Sequence, residues 1–298
     1  MAGRRRKKSG GRSYAWRYRG RIVACVFVEV IIICALVIMI GWNKGVKEWF
    51  EQFEQPVLKE VDISGINSPN AILMQARGGK ILGEINGEAQ IYPASMTKIM
   101  TVILGIENFD DLDEKITLTN EMFTGLYEQD ATQAGFQPGE EVRVIDLLYG
   151  AMLPSGAECC IALADTISGS EADFAELMNK KARKLGMENT NFCDSTGLHN
   201  PDHYSTVKDI AVLMKYCIKN DTFREIVETS RHSTGVTNIH PDGITYYSTM
   251  FKNLSDPTVT GGKILGGKTG YTSEAGHCLV SFAEIEGREY IFVSAGAS

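Results

Sequence analysis

One long apolar segment, residues 22–42, divides this chain of 298 residues into two unequal parts. Glu29 is the single charged residue within it. A helix needs about 20 apolar residues to cross the hydrocarbon core of a bilayer. A cleaved signal peptide has a shorter apolar region, of ~7–15 residues, followed by a small-residue cleavage site. The segment therefore predicts an uncleaved transmembrane helix, with a cleaved signal peptide as the alternative.

Charge is distributed unevenly about this segment. Residues 1–21 contain nine Lys and Arg and no acid, whereas residues 43–298 contain 21 Lys and Arg against 36 Asp and Glu. Basic residues before a membrane span favour a cytoplasmic N-terminus. We therefore expect a single-pass membrane protein with a basic cytoplasmic tail (1–21) and an external C-terminal domain. The acidic balance of that domain argues against binding to nucleic acid.

Beyond the anchor, residues 43–65 read as a polar stalk and residues 66–298 as one folded domain. Hydrophobic periodicity predicts a β-hairpin, then a group of helices, then strands. The hairpin covers 71–76 and 81–85, the main helices 144–153, 157–168, 172–185 and 207–218, and the strands 243–249, 262–271, 278–284 and 290–295. This order predicts an α/β fold with helices against a sheet. Because the chain stops after its last strand, we expect that one covering helix is missing.

A serine and a lysine three residues apart, Ser95 and Lys98, open an apolar helical pattern after Pro93. Residues at this spacing lie on one face of a helix, so the hydroxyl and the amine can share a hydrogen bond. Burial in the apolar helix would favour the uncharged amine that a general base needs. The spacing alone is weak evidence, because Ser205 and Lys208 repeat it. We expect Ser205 to cap the helix that begins near residue 207.

A Lys-Thr-Gly triplet, residues 268–270, lies in the predicted strand 262–271. A glycine in a strand permits the close approach of another backbone. The Thr269 hydroxyl and the Lys268 charge suit a substrate carboxylate. Taken alone, the triplet favours an ordinary edge strand over a substrate-binding one.

Three segments in order resemble the Ser-x-x-Lys, Ser-x-Asn and Lys-Thr-Gly motifs of penicillin-binding proteins and serine β-lactamases. They are Ser95-Met-Thr-Lys98, Ser155-Gly-Ala157 and Lys268-Thr-Gly270. The residues around them, with the Gly-Leu-His-Asn-Pro-Asp-His-Tyr-Ser run at 197–205, are similar to the low-molecular-mass penicillin-binding proteins. These are serine-type D-alanyl-D-alanine carboxypeptidases. The resemblance covers about residues 66–298.

The resemblance implies a three-layer α/β/α domain of the β-lactamase/transpeptidase type, with an antiparallel sheet. It implies a hydrolase of the bacterial cell membrane that acts on peptidoglycan stem peptides ending in D-Ala-D-Ala. β-Lactam antibiotics would act as acylating inhibitors. No metal and no cofactor are implied.

The resemblance also implies roles for individual residues. Ser95 would be the acylated nucleophile, Lys98 its general base, and Ser155 a proton relay to the leaving D-alanine. The substrate-binding residues would be Lys268, Thr269, Gly270 and Tyr271. Within this set, Thr269 would bind the terminal carboxylate, and the N–H groups of Ser95 and Tyr271 would form an oxyanion hole.

One departure from the family pattern leaves an alternative open. Ala157 stands where the middle motif carries asparagine, and alanine has no side-chain donor or acceptor. A penicillin- or muropeptide-binding protein without turnover is therefore the alternative to the carboxypeptidase. A β-lactamase is disfavoured because the Ser-Asp-Asn segment is absent. A zinc peptidase using His199 and His203 is disfavoured because Pro201 lies between them.

Overall fold

The computed structural model describes residues 59–254 and 256–298. The predicted tail and anchor, residues 1–42, lie outside this part of the chain, and so does most of the predicted stalk. Among the described residues, no helix has both the length and the apolar character required to cross a bilayer. Residues 59–298 form one structural unit.

The strands of this unit belong to one large sheet and two small ones. In chain order they are β1 (Asn70–Gln75), β2 (Ile81–Ile85), β3 (Lys115–Thr117), β4 (Glu141–Arg143), β5 (Arg231–Ser233), β6 (Thr245–Tyr247), β7 (Thr258–Val259), β8 (Gly262–Thr272), β9 (Gly276–Ile285) and β10 (Arg288–Ala297). The large sheet has the order β2-β1-β10-β9-β8-β7. Every neighbouring pair in it is antiparallel, which confirms the predicted hairpin and antiparallel sheet.

Seven α-helices connect the strands within the described residues. They are α1 (Lys98–Asn108), α2 (Val144–Met152), α3 (Ala157–Ser168), α4 (Glu171–Leu185), α5 (Val207–Cys217), α6 (Asp221–Glu228) and α7 (Thr249–Lys252). A 3₁₀ turn, Ala94–Thr97, leads directly into α1. The four main helices predicted from the sequence correspond to α2, α3, α4 and α5.

Side-chain caps fix where two of these helices begin. The Ser170 hydroxyl accepts a hydrogen bond from the Asp173 N–H at the start of α4. At the start of α5, the Thr206 hydroxyl accepts from the Asp209 N–H at 3.0 Å. The prediction that Ser205 is this cap was therefore wrong by one residue. The Ser205 hydroxyl instead forms a 2.9 Å hydrogen bond with Thr190.

The hydrophobic core lies between the helices and one face of the large sheet. Residues 98–105 of α1 are all buried, so this helix runs through the middle of the helical group. On β9, the side chains of Cys278, Val280 and Phe282 are buried in this core, and the residues between them are partly exposed. This period of two places alternate residues on opposite faces of the sheet. The three-layer arrangement stays a prediction.

Two elements between residues 221 and 249 differ from prediction. The predicted strand 243–249 contains only three strand residues, which pair with β5 in a separate sheet. It ends because Ser248 caps the short helix α7. Helix α6 was not predicted, although Asn220 caps it by accepting from the Phe223 N–H at 2.9 Å. An asparagine at this position is a sequence signal for the start of a helix.

Substitution of Gly266 tests how closely α6 approaches the sheet. A Cβ at this position would collide with the main-chain carbonyl of Val227. We expect Gly266→Ala to lower the free energy of unfolding by about 1–3 kcal/mol, because the helix must move off the strand. Urea denaturation measures the change. Gly65→Ala is the control, since a Cβ there meets nothing within 4 Å. Equal effects of the two substitutions would contradict the packing described.

Candidate active site

Ser95 lies in the 3₁₀ turn that begins helix α1, and Lys98 is the first residue of the helix. The Lys98 Nζ lies 3.0 Å from the Ser95 Oγ, within hydrogen-bond distance. The preceding residue, Ala94, has a φ of 47°, in the left-handed region that non-glycine residues rarely adopt. The structure therefore brings the predicted serine and lysine into contact beside a strained backbone position.

The amine of Lys98 is almost completely removed from water. The residue is 4% exposed, and its Nζ also donates a 2.7 Å hydrogen bond to the main-chain carbonyl of Thr196. Burial lowers the pKa of Lys98 from its ordinary 10.5, against the opposing influence of Cys160 and of the Asp194 and Glu158 carboxyl groups. The uncharged amine, which can accept a proton, is therefore favoured more than in a free lysine.

Ser155 and Lys268 form a second serine–lysine contact. The Lys268 Nζ lies 3.0 Å from the Ser155 Oγ and donates to the carbonyl of Thr269 at 2.7 Å. Burial and, to a smaller extent, the electrostatic influence of the nearby Lys98 hold the pKa of Lys268 well below 10.5. Ser155 has a φ of 74°, so it is also held in the left-handed region. The hydroxyl of each serine thus faces a buried amine.

The Lys-Thr-Gly segment of β8 forms one wall of a cleft above these residues. The cleft has a volume of 580 Å³ and is lined by Ser95, Ser155, Thr269 and Tyr271 among others. The Thr269 hydroxyl lies 2.7 Å from the Thr249 hydroxyl. Tyr271 is 61% exposed. All seven residues predicted from the sequence are therefore at or beside one cleft.

Gly270 allows strand β8 and the 3₁₀ turn that carries Ser95 to meet. A Cβ at this position would lie 2.9 Å from the Ser95 N and 3.1 Å from the Ala94 Cβ. Such distances are too short for ordinary side-chain contacts, so any larger residue would push the strand away from Ser95. The third residue of the triplet thus sets the width of the cleft.

The position of the missing asparagine is buried and apolar. Ala157 is 1% exposed, and its N–H donates to the carbonyl of Thr132 at 2.8 Å. The neighbouring Glu158 does not replace the amide. Its Oε1 accepts from the N–H groups of Ala134 and Gly135, at 2.6 and 2.9 Å.

Sequence reasoning missed the Thr196 carbonyl as a partner of Lys98, because a main-chain acceptor has no signature in the amino-acid sequence.

The geometry of the two histidines does not support the zinc alternative. His199 lies 3.9 Å from Glu274, whereas the His203 ring contacts Asp194 and Thr97. Within the described ranges, no group of three His, Cys, Asp or Glu residues could hold a metal ion.

The five cysteines of the described domain are all free thiols. Cys159 and Cys160 are fully buried on α3, as predicted for small hydrophobic residues.

Comparisons with known proteins identify one family of peptidases. The Peptidase_S11 family, described as D-alanyl-D-alanine carboxypeptidase, matches residues 57–298. D-alanyl-D-alanine carboxypeptidase DacF of Bacillus subtilis is 35% identical over 77% of this chain and 57% of its own length. The carboxypeptidase of Streptomyces sp. K15 is 36% identical over 66% of this chain and 69% of its own. The chain spans little more than half of the curated relatives DacF and DacC.

A solved structure with the same fold is the Streptomyces K15 DD-transpeptidase. Its TM-score is 0.71 at 29% sequence identity, covering 80% of this chain and 93% of that one. The likeness shows that the described domain has the transpeptidase-like fold.

Glu158 gives the site a testable pH dependence. Burial raises its pKa above 4.5, so the folded state binds a proton more tightly than the unfolded state does. Its contribution to stability is therefore present below pH 4.5 and is lost as pH rises through the raised pKa. Glu158→Gln keeps an acceptor oxygen for Ala134 and Gly135 but cannot ionise.

We expect the free energy of unfolding of Glu158→Gln to rise relative to that of the parent as the pH increases from pH 4 to pH 8. Urea denaturation at each pH measures both values. The exposed Glu114→Gln is the control. A difference between Glu158→Gln and parent that does not change with pH would contradict the prediction.

Proposed function

Because the chain belongs to the D-alanyl-D-alanine carboxypeptidase family of serine peptidases, we propose that it releases the terminal D-alanine from peptidoglycan stem peptides ending in D-Ala-D-Ala. The observation that carries the proposal is the 3.0 Å contact between the Ser95 hydroxyl and the buried Lys98 amine. A serine hydroxyl is a weak nucleophile until an adjacent base accepts its proton.

The first half of the reaction forms an acyl-enzyme. The uncharged Lys98 amine takes the proton of the Ser95 hydroxyl while the Ser95 Oγ attacks the carbonyl carbon of the penultimate D-alanine. The peptide bond then breaks, and the proton is delivered to the nitrogen of the leaving D-alanine. The contact of Ser155 with Lys268 supports Ser155 as the relay for that proton. Water then hydrolyses the ester and regenerates Ser95.

The walls of the cleft supply binding and electrostatic stabilisation. Thr269 and Lys268 bind the terminal carboxylate of the peptide, Gly270 keeps the strand close to Ser95, and the N–H groups of Ser95 and Tyr271 form the oxyanion hole. The loss of one oxyanion-hole donor costs about 10²–10³ in rate in other enzymes. The lining of the cleft by Ser95, Thr269, Gly270 and Tyr271 supports this assignment. β-Lactam antibiotics acylate the same serine.

The location of the reaction follows from the sequence. Residues 22–42 anchor the chain in the bacterial membrane, with residues 1–21 in the cytoplasm and the peptidase domain outside. The basic residues before the apolar segment support this orientation. Peptidoglycan is then on the same side of the membrane as Ser95.

The alternative is a protein that binds penicillin or muropeptides without turnover. Ala157 motivates it, because the family's amide is absent from a buried position near Lys98. The carboxypeptidase is favoured, because both serine–lysine contacts are formed without that amide.

Release of D-alanine from a synthetic peptide ending in D-Ala-D-Ala tests the activity. We expect the full chain to release D-alanine and Ser95→Ala to lower the rate by about 10⁴-fold or more, because the nucleophile is lost. Ser205→Ala is the matched control, since Ser205 and Lys208 repeat the spacing outside the cleft. Release by Ser95→Ala at the parent rate would refute the nucleophile. Penicillin acylation without D-alanine release would favour the alternative.

The pH dependence of acylation tests the base. Since burial lowers the pKa of Lys98 below 10.5, the rate of acylation by a fluorescent penicillin should rise with pH and level off before pH 10.5. Lys98→Arg should remain charged at every accessible pH and should lose the reaction. A rate that still rises above pH 10.5, or that persists in Lys98→Arg, would exclude Lys98 as the base.

A further inference from the structure

A four-residue turn, Asp194 to Gly197, touches the segment that carries Ser95 and Lys98 at several points. The carbonyl of Thr196 accepts from the Lys98 Nζ, and the carbonyl of Ser195 accepts from the Thr101 hydroxyl at 2.6 Å. Gly197 has a φ of 81°, and a Cβ there would collide with the carbonyl of Ala94. The turn therefore contacts the backbone before Ser95, the amine of Lys98 and the next turn of α1.

Asp194 gives this turn its shape. Its Oδ1 accepts from the Thr196 N–H at 2.8 Å, the Thr196 hydroxyl at 2.7 Å and the Gly197 N–H at 2.6 Å. Although burial raises the pKa of Asp194, the hydrogen bond and the charge of His203 bring it to about 2. The carboxylate is therefore ionised over the physiological range, and the turn is built around a fixed negative charge.

His203 connects that carboxylate to the nucleophile turn. The residue is 2% exposed, its Nδ1 lies 3.0 Å from the Asp194 Oδ2, and its Nε2 lies 2.9 Å from the Thr97 hydroxyl. The Cys193 N–H lies 3.2 Å from the same Nδ1. Because a nitrogen that carries hydrogen cannot accept, the shorter contact with the charged carboxylate decides the tautomer. Nδ1 donates to Asp194, and in the neutral ring Nε2 accepts from Thr97.

Thr97 is the point at which this chain of contacts reaches the site. It lies between Ser95 and Lys98 in the sequence, but its side chain is fully buried and does not line the cleft. Two adjacent residues of the Ser95–Lys98 turn, Thr97 and Lys98, are thus tied to the Asp194 turn. One tie is the Thr196 carbonyl on Lys98, and the other is His203 on Thr97.

We propose that Asp194 and His203 are positioning residues that hold the Lys98 amine against the Ser95 hydroxyl, through Thr97 and the Thr196 carbonyl. The inference rests on the proposed function for its kinetic consequence. The long lysine side chain loses rotamer freedom when it is held, and a misplacement of about 1 Å can cost about 10²-fold in rate. Because the Ala157 side chain has no polar atom, the Thr196 carbonyl is the polar partner that directs the Lys98 amine besides Ser95.

Thr97 supplies the sharpest test, since two substitutions separate its hydroxyl from its volume. Thr97→Val removes the hydroxyl with little change in shape, and Thr97→Ser keeps it. The readouts are the rate constant for acylation of the full chain by a fluorescent penicillin, the dissociation constant before acylation, and the melting temperature. We expect Thr97→Val and His203→Ala to lower the acylation rate constant by about 10- to 100-fold. The dissociation constant before acylation should not change, and Thr97→Ser should retain the acylation rate constant of the parent.

His240→Ala is the matched control for loss of a histidine–carboxylate pair. The His240 Nδ1 lies 2.8 Å from Glu140, which is fully buried, and neither residue lines the cleft. We expect His240→Ala to lower the melting temperature without slowing acylation. Equal acylation rates in the parent, Thr97→Val and His203→Ala would overturn the inference. A proportional fall in His240→Ala would also overturn it, because general destabilisation would then explain the loss.

A second measurement does not depend on turnover. Crystal structures of Thr97→Val and His203→Ala give the separation of the Lys98 Nζ and the Ser95 Oγ, which is 3.0 Å in the parent. We expect this separation to increase beyond hydrogen-bond distance. An unchanged separation in both variants would refute the positioning role even if the parent proved inactive. A parent that is not acylated at all would refute the proposed function instead.

Discussion

The burial of one amine beside one hydroxyl is the constraint on which this domain depends. Lys98 begins a helix whose first eight residues are all buried, so its charge would be expensive to keep. The same burial lowers the pKa of the side chain and so favours the uncharged amine that the proposed role as a base requires. The cost of burying Lys98 and its proposed chemistry therefore have one physical origin.

The packing around the site maintains two strained backbone positions. Ala94 and Ser155 both have positive φ values, which cost of order 1–3 kcal/mol at non-glycine positions. Two glycines bracket Ala94. Gly270 brings the sheet to within van der Waals reach of it, and Gly197 brings the Asp194 turn against its carbonyl. The close approach of strand β8 and the Asp194 turn leaves the 3₁₀ turn that carries Ser95 no room to relax.

Local elements were predictable where local chemistry decides them. Helices α3 and α4 have glycines just after their last residues, and their bounds were correct to within one residue. The strand predicted over 243–249 failed because a serine cap begins α7 within it. For the site, the spacing of Ser95 and Lys98 together with the apolar helix that follows predicted their contact, although Ser95 lies in a 3₁₀ turn rather than in the helix itself. Residues three apart still share a face in that turn.

The sequence by itself determined which residues could react and in what order they appear, because side-chain type and helical spacing are local properties. It could not determine which distant groups contact the Lys98 amine and its neighbour Thr97. The carbonyl of Thr196 is a main-chain group 98 residues from Lys98, and the contact between His203 and Thr97 spans 106 residues. Only the tertiary fold decides such contacts, since main-chain acceptors have no sequence signature and long-range partners meet only when the whole core closes.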